Sequence, residues 1–265
     1  LHLWLPNAYA YAPSAVTAFL AATATKVAVY VMLRFMLEVF GADFSLGAMP
    51  LDLILMGLGL IGIIMASLVA VFQDDIKRML AYSSVAQIGY MLLGIGLASA
   101  TGVGAAILHI FNHALMKGAL FLALGAVAYR IGAVTLGDFA GLGKRMPWTM
   151  AAIAIGGLSL IGVPPTVGFV SKWYLVLATL EQGLWPIAVL ILIGSLLALV
   201  YIWRLIEAAY FGAVAADAPE VREAPASMLI PIWILVAANI YFGINTDISV
   251  GAAMQAATML MGDGG

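Results

Sequence analysis

Apolar runs of membrane-spanning length dominate the chain. A spanning helix needs about 20 mainly apolar residues, and seven segments qualify: 13–37, 50–72, 77–97, 102–129, 147–180, 185–211 and 228–242. Between Arg78 and Arg130 the only charged residue is Lys117. That stretch is too long for one crossing, so it reverses near Ser99-Ala100-Thr101-Gly102 into two helices joined by a tight turn. The fifth segment also exceeds one straight span and holds Gly162-Val163-Pro164-Pro165 at its middle. Two prolines there remove two backbone donors and clash with the preceding turn, so the helix breaks at 162–166. In a bilayer such a break is tolerated only where the freed backbone groups face protein or a watery cavity, and breaks of this kind often sit at transporter ion sites. The pattern predicts an all-α, polytopic transmembrane bundle over 1–245, followed by a short tail at 246–265.

Composition narrows the function. The 265 residues are 65% hydrophobic and 9% charged, too little polar surface to cover a water-soluble globule of this size, so the solvent is lipid. A net charge of −2 with no basic tract gives no support for a nucleic-acid partner. The absence of cysteine removes thiolate catalysis, disulfides and cysteine-ligated iron–sulfur clusters. With no cofactor motif either, no cofactor is expected, the chain is not an enzyme alone, and any redox chemistry lies elsewhere. The chain opens without an initiator Met, a basic stretch or a cleavage site, which reads as a start inside a longer protein. With alternating spans, Lys77, Arg78, Arg130, Lys144, Arg145, Arg204 and Arg222 fall on one side and Arg34 alone on the other. By the excess of Lys and Arg in cytoplasmic loops, this places the N-terminal end in the cytoplasm and the C-terminus outside. Arg204 and Glu207, spaced i, i+3, are expected to pair at a helix end.

Eleven Lys and Arg less those eight leave Lys26, Lys117 and Lys172, all near mid-span. An ammonium at the bilayer centre costs about 2.5 to 3.5 kcal/mol, so three cost on the order of 8 to 10 kcal/mol unless cavities or partners relieve them. A lysine so placed exchanges its proton when a neighbouring charge moves. His109, His113 and Lys117 are spaced i, i+4, i+8, within about an 80° arc and about 12 Å of rise on one helix face. Imidazole both accepts and passes a proton near neutral pH, so this ladder reads as a proton relay. The histidines do not read as haem ligands, since neighbours at i, i+4 cannot take opposite axial positions and His2 lies near a membrane edge. A metal site lacks a carboxylate third ligand deep in any span. Around Lys26, Thr23 and Tyr30 share its face and are expected to hydrate it. Lys172 falls where the break releases carbonyls, near Thr166 and Ser171. Tyr82, Ser83, Gln87 and Tyr90 give one span a polar stripe, compatible with interhelical hydrogen bonds or with a water path.

Four stretches carry a family resemblance: Trp4-Leu5-Pro6-Asn7-Ala8 with Ala12-Pro13-Ser14-Ala15-Val16; Asp75-Ile76-Lys77-Arg78-Met79-Leu80-Ala81-Tyr82-Ser83-Ser84; His109-Ile110-Phe111-Asn112-His113-Ala114-Leu115-Met116-Lys117; and Gly162-Val163-Pro164-Pro165-Thr166-Val167-Gly168-Phe169-Val170-Ser171-Lys172. In this order they resemble the proton-conducting membrane-transporter family, which includes the D subunits of Mrp-type cation/proton antiporters and the antiporter-like subunits of respiratory complex I. The resemblance implies two inverted five-helix repeats, each with a broken helix, and a mid-membrane line of charges. Lys26 then matches the lysine of the helix after the first broken helix. Lys117 matches the central lysine of the second repeat and Lys172 the charged residue of the second broken helix, with His109 and His113 between. Asn7 stands where the family has aspartate. Family members are roughly double this length, so the chain corresponds to the second repeat plus the end of the first, without the upstream membrane glutamate and the first break's lysine. As a fragment it is not expected to conduct as intact members do. The implied role is a proton-translocating subunit of a multi-subunit cation/proton antiporter or a complex I-like NADH:quinone oxidoreductase in the bacterial inner membrane. Its implied partners are other membrane subunits, lipid and protons, with Na+ or K+ as exchange ion left open. The rival reading is a non-conducting scaffold in the membrane arm of a redox or hydrogenase complex.

Overall fold

A computed structural model describes residues 2, 4–132, 134–214 and 220–262. Helix α1 (Leu5–Tyr11) leads into α2 (Ser14–Ala22) and α3 (Ala24–Leu33), extended by a π-helical turn at Arg34–Val39 and followed by a second at Asp43–Ala48. Then come α4 (Leu51–Val71), α5 (Ile76–Gly96), α6 (Ala100–Ile131), the short α7 (Leu142–Arg145), α8 (Pro147–Ile161), α9 (Val167–Glu181), α10 (Trp185–Phe211), α11 (Ala226–Ile244) and α12 (Asp247–Met261). Among the described residues six stretches are long and apolar enough to cross a membrane: Ser14–Val39, α4, α5, α6, α10 and α11. The seventh crossing is the expected broken helix, present as α8 and α9, of 15 residues each.

Local chemistry sets the ends. The Asp75 carboxylate accepts from the Arg78 amide at 2.8 Å to open α5, and the Ser99 hydroxyl accepts from Gly102 to open α6, so the reversal falls at 97–99. The start of α8 is capped from a distance: the Glu223 carboxylate accepts from the Trp148 amide at 2.8 Å and from the Thr149 hydroxyl at 2.6 Å, an anion placed on the positive end of a helix.

Around this scaffold α5 is the innermost helix, buried on nearly all sides, with α4 along it and α6, the longest, beside it. The outer faces of α4, α10 and α11 carry Leu53, Ile61, Leu196, Trp203, Ile230 and Ile234, each at least half exposed, as a lipid-facing surface requires.

Three local features depart from the sequence reading. The first span is interrupted at Thr23, whose backbone (φ −124°, ψ −57°) leaves the helical region while its hydroxyl back-bonds to the Phe19 carbonyl at 2.8 Å. Such threonine bonds bend helices, and a lone threonine is no sequence signal for a break. The expected tail contains a helix: α12 packs along the first half of α6, with Met254 against Gly104, while residues 263–265 lie outside the described residues. Arg204 does not pair with Glu207. It donates to the Val71 carbonyl and forms an ion pair with Asp74 at 3.1 Å.

That ion pair belongs to a set of contacts joining the basic loops at one end of the bundle. Ile76 donates to Val134, Leu136 to Asp74 and Gly141 to Ala208. Lys77 reaches the Ala12 carbonyl, Arg78 the Asn7 side chain and Arg130 the Glu223 carbonyl. Arg34 pairs with Glu38 on the π-helical turn beyond α3.

Candidate functional site

All five relay candidates are buried: Lys26, His109, His113, Lys117 and Lys172 are each at most 6% exposed. Each ammonium is held by backbone carbonyls or hydroxyls, with no carboxylate partner among the described residues. Lys117, at the centre of α6, donates to the Leu80 carbonyl at 2.8 Å and to the Ser83 hydroxyl at 2.5 Å on α5. The Phe121 ring lies 5.8 Å away. Lys172 donates to the Leu160 and Ile161 carbonyls, both at 2.9 Å. These are the acceptors that ending α8 early sets free. Its third partner is the Ser195 hydroxyl of α10 at 3.0 Å, and the ammonium lies 4.8 Å from the centre of the Tyr90 ring. Thr166 and Ser171, expected beside it, bond elsewhere: Thr166 to the Val163 carbonyl and Ser171 to His109.

Lys26 repeats this arrangement. Its ammonium donates to the Ala21 carbonyl next to the Thr23 interruption. Neither expected neighbour serves it: the Thr23 hydroxyl is bonded to Phe19 and Tyr30 accepts from Arg34 at 3.1 Å on an exposed face. A helix break with a lysine on a released carbonyl thus occurs twice, once at prolines and once at a threonine.

The two histidines share one face of α6 with Lys117. Their rings stack with centroids 6.0 Å apart and planes 9° apart. On His109, Nε2 faces the Gln87 side-chain oxygen at 2.9 Å and Nδ1 the Ser171 hydroxyl at 2.8 Å, so Nε2 carries the hydrogen and Nδ1 accepts. His109 therefore joins α5, α6 and the second half-helix. Both ring nitrogens of His113 are buried and have no partner among the described residues. Lys26, Lys117 and His109 all lie within electrostatic reach of His113, and Lys172 within reach of His109.

The break is tightly built. Gly162 ends α8 at φ +93°, a conformation that favours glycine, and a side chain there would press on the Lys172 stem at 3.0 Å. A Cβ on Gly168 would lie 1.8 Å from the Ser159 carbonyl oxygen, so the half-helices cross at a separation only glycine permits. On the side away from Lys172, Asn112 donates to the Val167 carbonyl at 2.7 Å, and Ser159 donates to the Asn239 oxygen of α11 at 2.7 Å. Pro164 and Pro165 are joined by a cis peptide bond. No sequence argument singled out Ser195, Asn239 or the Ala21 carbonyl. Ser83, Gln87 and Tyr90 were visible as the α5 stripe, and the structure places them one each at Lys117, His109 and Lys172. Among the described residues no three His, Cys, Asp or Glu side chains are grouped to hold a metal ion.

Comparison with known proteins agrees with this architecture. Residues 1–198 match the family described as NADH:quinone oxidoreductase/Mrp antiporter, TM. The N subunit of the NADH-quinone oxidoreductase of Desulforudis audaxviator is 42% identical over 96% of this chain and 53% of its own length. The D subunit of the Na(+)/H(+) antiporter of Alkalihalophilus pseudofirmus is 33% identical over 98% of this chain and 52% of its own. A protein of the solved Mrp complex from Dietzia sp. superposes with a TM-score of 0.89 at 26% identity, covering 99% of this chain and 56% of that one. The chain spans about half the length of the curated relatives it matches.

Proposed function

This chain belongs to the NADH:quinone oxidoreductase/Mrp antiporter transmembrane family, and from that premise we propose that it is the relay-bearing part of a proton-translocating subunit in a complex I-like or Mrp-like assembly. Protons move along Lys26, His113, Lys117, His109 and Lys172 and leave at the α8–α9 break. The end of the bundle carrying the seven basic residues faces the cytoplasm of a bacterial inner membrane, which puts α1 inside and the C-terminus outside. The partners are the other membrane subunits of that assembly.

One observation carries the reading: among the described residues, three buried ammonium groups are bonded to neutral acceptors alone. Charges moved from water into a low-dielectric interior are normally paired. A lysine held only by carbonyls and hydroxyls keeps an acceptor shell whether charged or neutral, so its proton is removable without stranding an anion. Two such lysines repel when both are charged, and a proton arriving on Lys26 drives the one on Lys117 onward. The histidines carry it across the gap, accepting on one ring nitrogen as the other releases.

The scaffold reading makes the opposite prediction for replacement of the three lysines. With Lys26, Lys117 and Lys172 all changed to Met in the full-length protein, the relay is expected to leave assembly in place while the proton gradient in inverted vesicles collapses by about tenfold or more. A scaffold would keep its gradient. Repeating the assay in choline, sodium and potassium media separates the relatives' two modes, since an exchanger's gradient depends on the cation and a pure proton relay's does not.

A further inference from the structure

Tyr201 of α10 is wholly buried, and its hydroxyl has no hydrogen-bond partner among the described residues. A buried phenol normally has a hydrogen-bond partner, from protein or from ordered water. Its position links groups already placed. Ser83 and Tyr90 stand seven residues apart on α5, and Gly194 and Tyr201 seven apart on α10, each separation giving about 10.5 Å of rise on one face. The two helices meet in register: the Tyr90 hydroxyl donates to the Ile191 carbonyl at 3.4 Å and lies against Gly194, where an added Cβ would meet it at 2.5 Å. Tyr201 then falls opposite Ser83, whose own hydroxyl donates to the Leu80 carbonyl at 2.9 Å.

Both ends of this seam contact a relay lysine. Ser83 accepts from Lys117 at 2.5 Å. At the other end the Tyr90 hydroxyl lies against Gly194, next along α10 to Ser195, which accepts from Lys172 at 3.0 Å, and Lys172 itself sits 4.8 Å from the Tyr90 ring centre. His109 reaches the same two regions by another way, through Gln87 and Ser171.

We propose that Tyr201, with Ser83, Tyr90 and Ser195, forms a second proton route between Lys117 and Lys172, running through hydroxyls and water along the α5–α10 seam in parallel with His109. It rests on the relay reading above. Lys117 gives an ammonium proton to the Ser83 oxygen as the Ser83 hydroxyl turns from the Leu80 carbonyl and releases its own proton to water at Tyr201. O–H bonds break and form in the same sense along the seam until the neutral amine of Lys172 takes the last proton. Lys117 is left neutral, Lys172 charged and each hydroxyl intact, so no other reactant is needed.

The test is a double-mutant cycle in the full-length protein within its assembly, read as initial proton uptake by inverted vesicles and normalised to assembled complex. Tyr201→Phe keeps the ring and removes one oxygen. Parallel routes predict a loss of less than about twofold for Tyr201→Phe, a partial loss for His109→Gln, and a further loss of about tenfold when the two are combined. Three results overturn the route: a double variant no worse than His109→Gln, His109→Gln abolishing uptake alone, or Tyr201→Phe abolishing it alone. Lys117→Ala run beside them separates the two failures. If it leaves uptake intact, the relay reading itself has fallen, whereas a dead Lys117→Ala with an additive cycle removes only the hydroxyl route.

Discussion

Replacing Lys117 with alanine in the full-length protein abolishes proton translocation and leaves membrane insertion and assembly in place. The expectation follows from where the ammonium sits: wholly buried at the middle of α6 and bonded to the Leu80 carbonyl and Ser83, with Lys26 and His113 within electrostatic reach. Truncation removes a group that is costly to bury, so folding does not depend on it, but the proposed relay loses its central station. Uptake of protons by inverted vesicles should fall by about tenfold or more, the scale on which positioned acid–base groups act. Lys117→Arg sharpens the prediction. Guanidinium keeps the charge and does not release its proton, so arginine should be as inactive as alanine if titration is the role. Recovery with arginine would show that a fixed charge suffices, and unchanged uptake in Lys117→Ala would remove the relay.

A comparable loss is expected from Gly168→Ala, by a different route. The new methyl would lie 1.8 Å from the Ser159 carbonyl oxygen, a backbone atom that cannot turn aside, so α8 and α9 must separate. Overpacking of this kind costs about 1 to 3 kcal/mol and sometimes more. It also pulls the Leu160 and Ile161 carbonyls away from Lys172 and weakens the Asn112 bond to Val167. Assembled complex should drop, and the uptake per assembled complex should drop as well. Gly57→Ala is the control, since nothing lies within 4 Å of the added Cβ and both quantities should hold. If Gly168→Ala behaves like Gly57→Ala, the close crossing is not what holds Lys172.

Much of this architecture was legible in the sequence because the bilayer leaves few alternatives. Span length is set by hydrocarbon thickness, so apolar runs predict crossings without knowledge of packing. The break at 162–166 was readable because proline removes a donor wherever it stands. His109, His113 and Lys117 were readable because one helix puts i, i+4 and i+8 on one face. What stayed hidden depends on partners from other helices. Arg204 had a plausible neighbour at Glu207, yet the end of α4 at Val71 and the following loop with Asp74 come within its reach, which local spacing does not encode. The interruption at Thr23 arises from one back-bonding hydroxyl, and threonine in an apolar helix usually leaves it whole. Ser195 and Asn239 are single polar residues in apolar spans, and only the assembled bundle tells a lysine partner from an ordinary interhelical bond. Helix α12 is short and its sequence mixed, so it carries no span signal, although its buried Ala253 and Ala257 face the bundle.

The proposed relay requires the three buried lysines to share one hydrated line. Ordered water in a high-resolution map of the assembled complex tests this most directly. The relay predicts water density at the unpartnered nitrogens of His113, continuous from Lys26 past Lys117 and His109 to Lys172 at the break. Dry apolar packing between those groups, or lysine side chains turned out toward the headgroups, would contradict it.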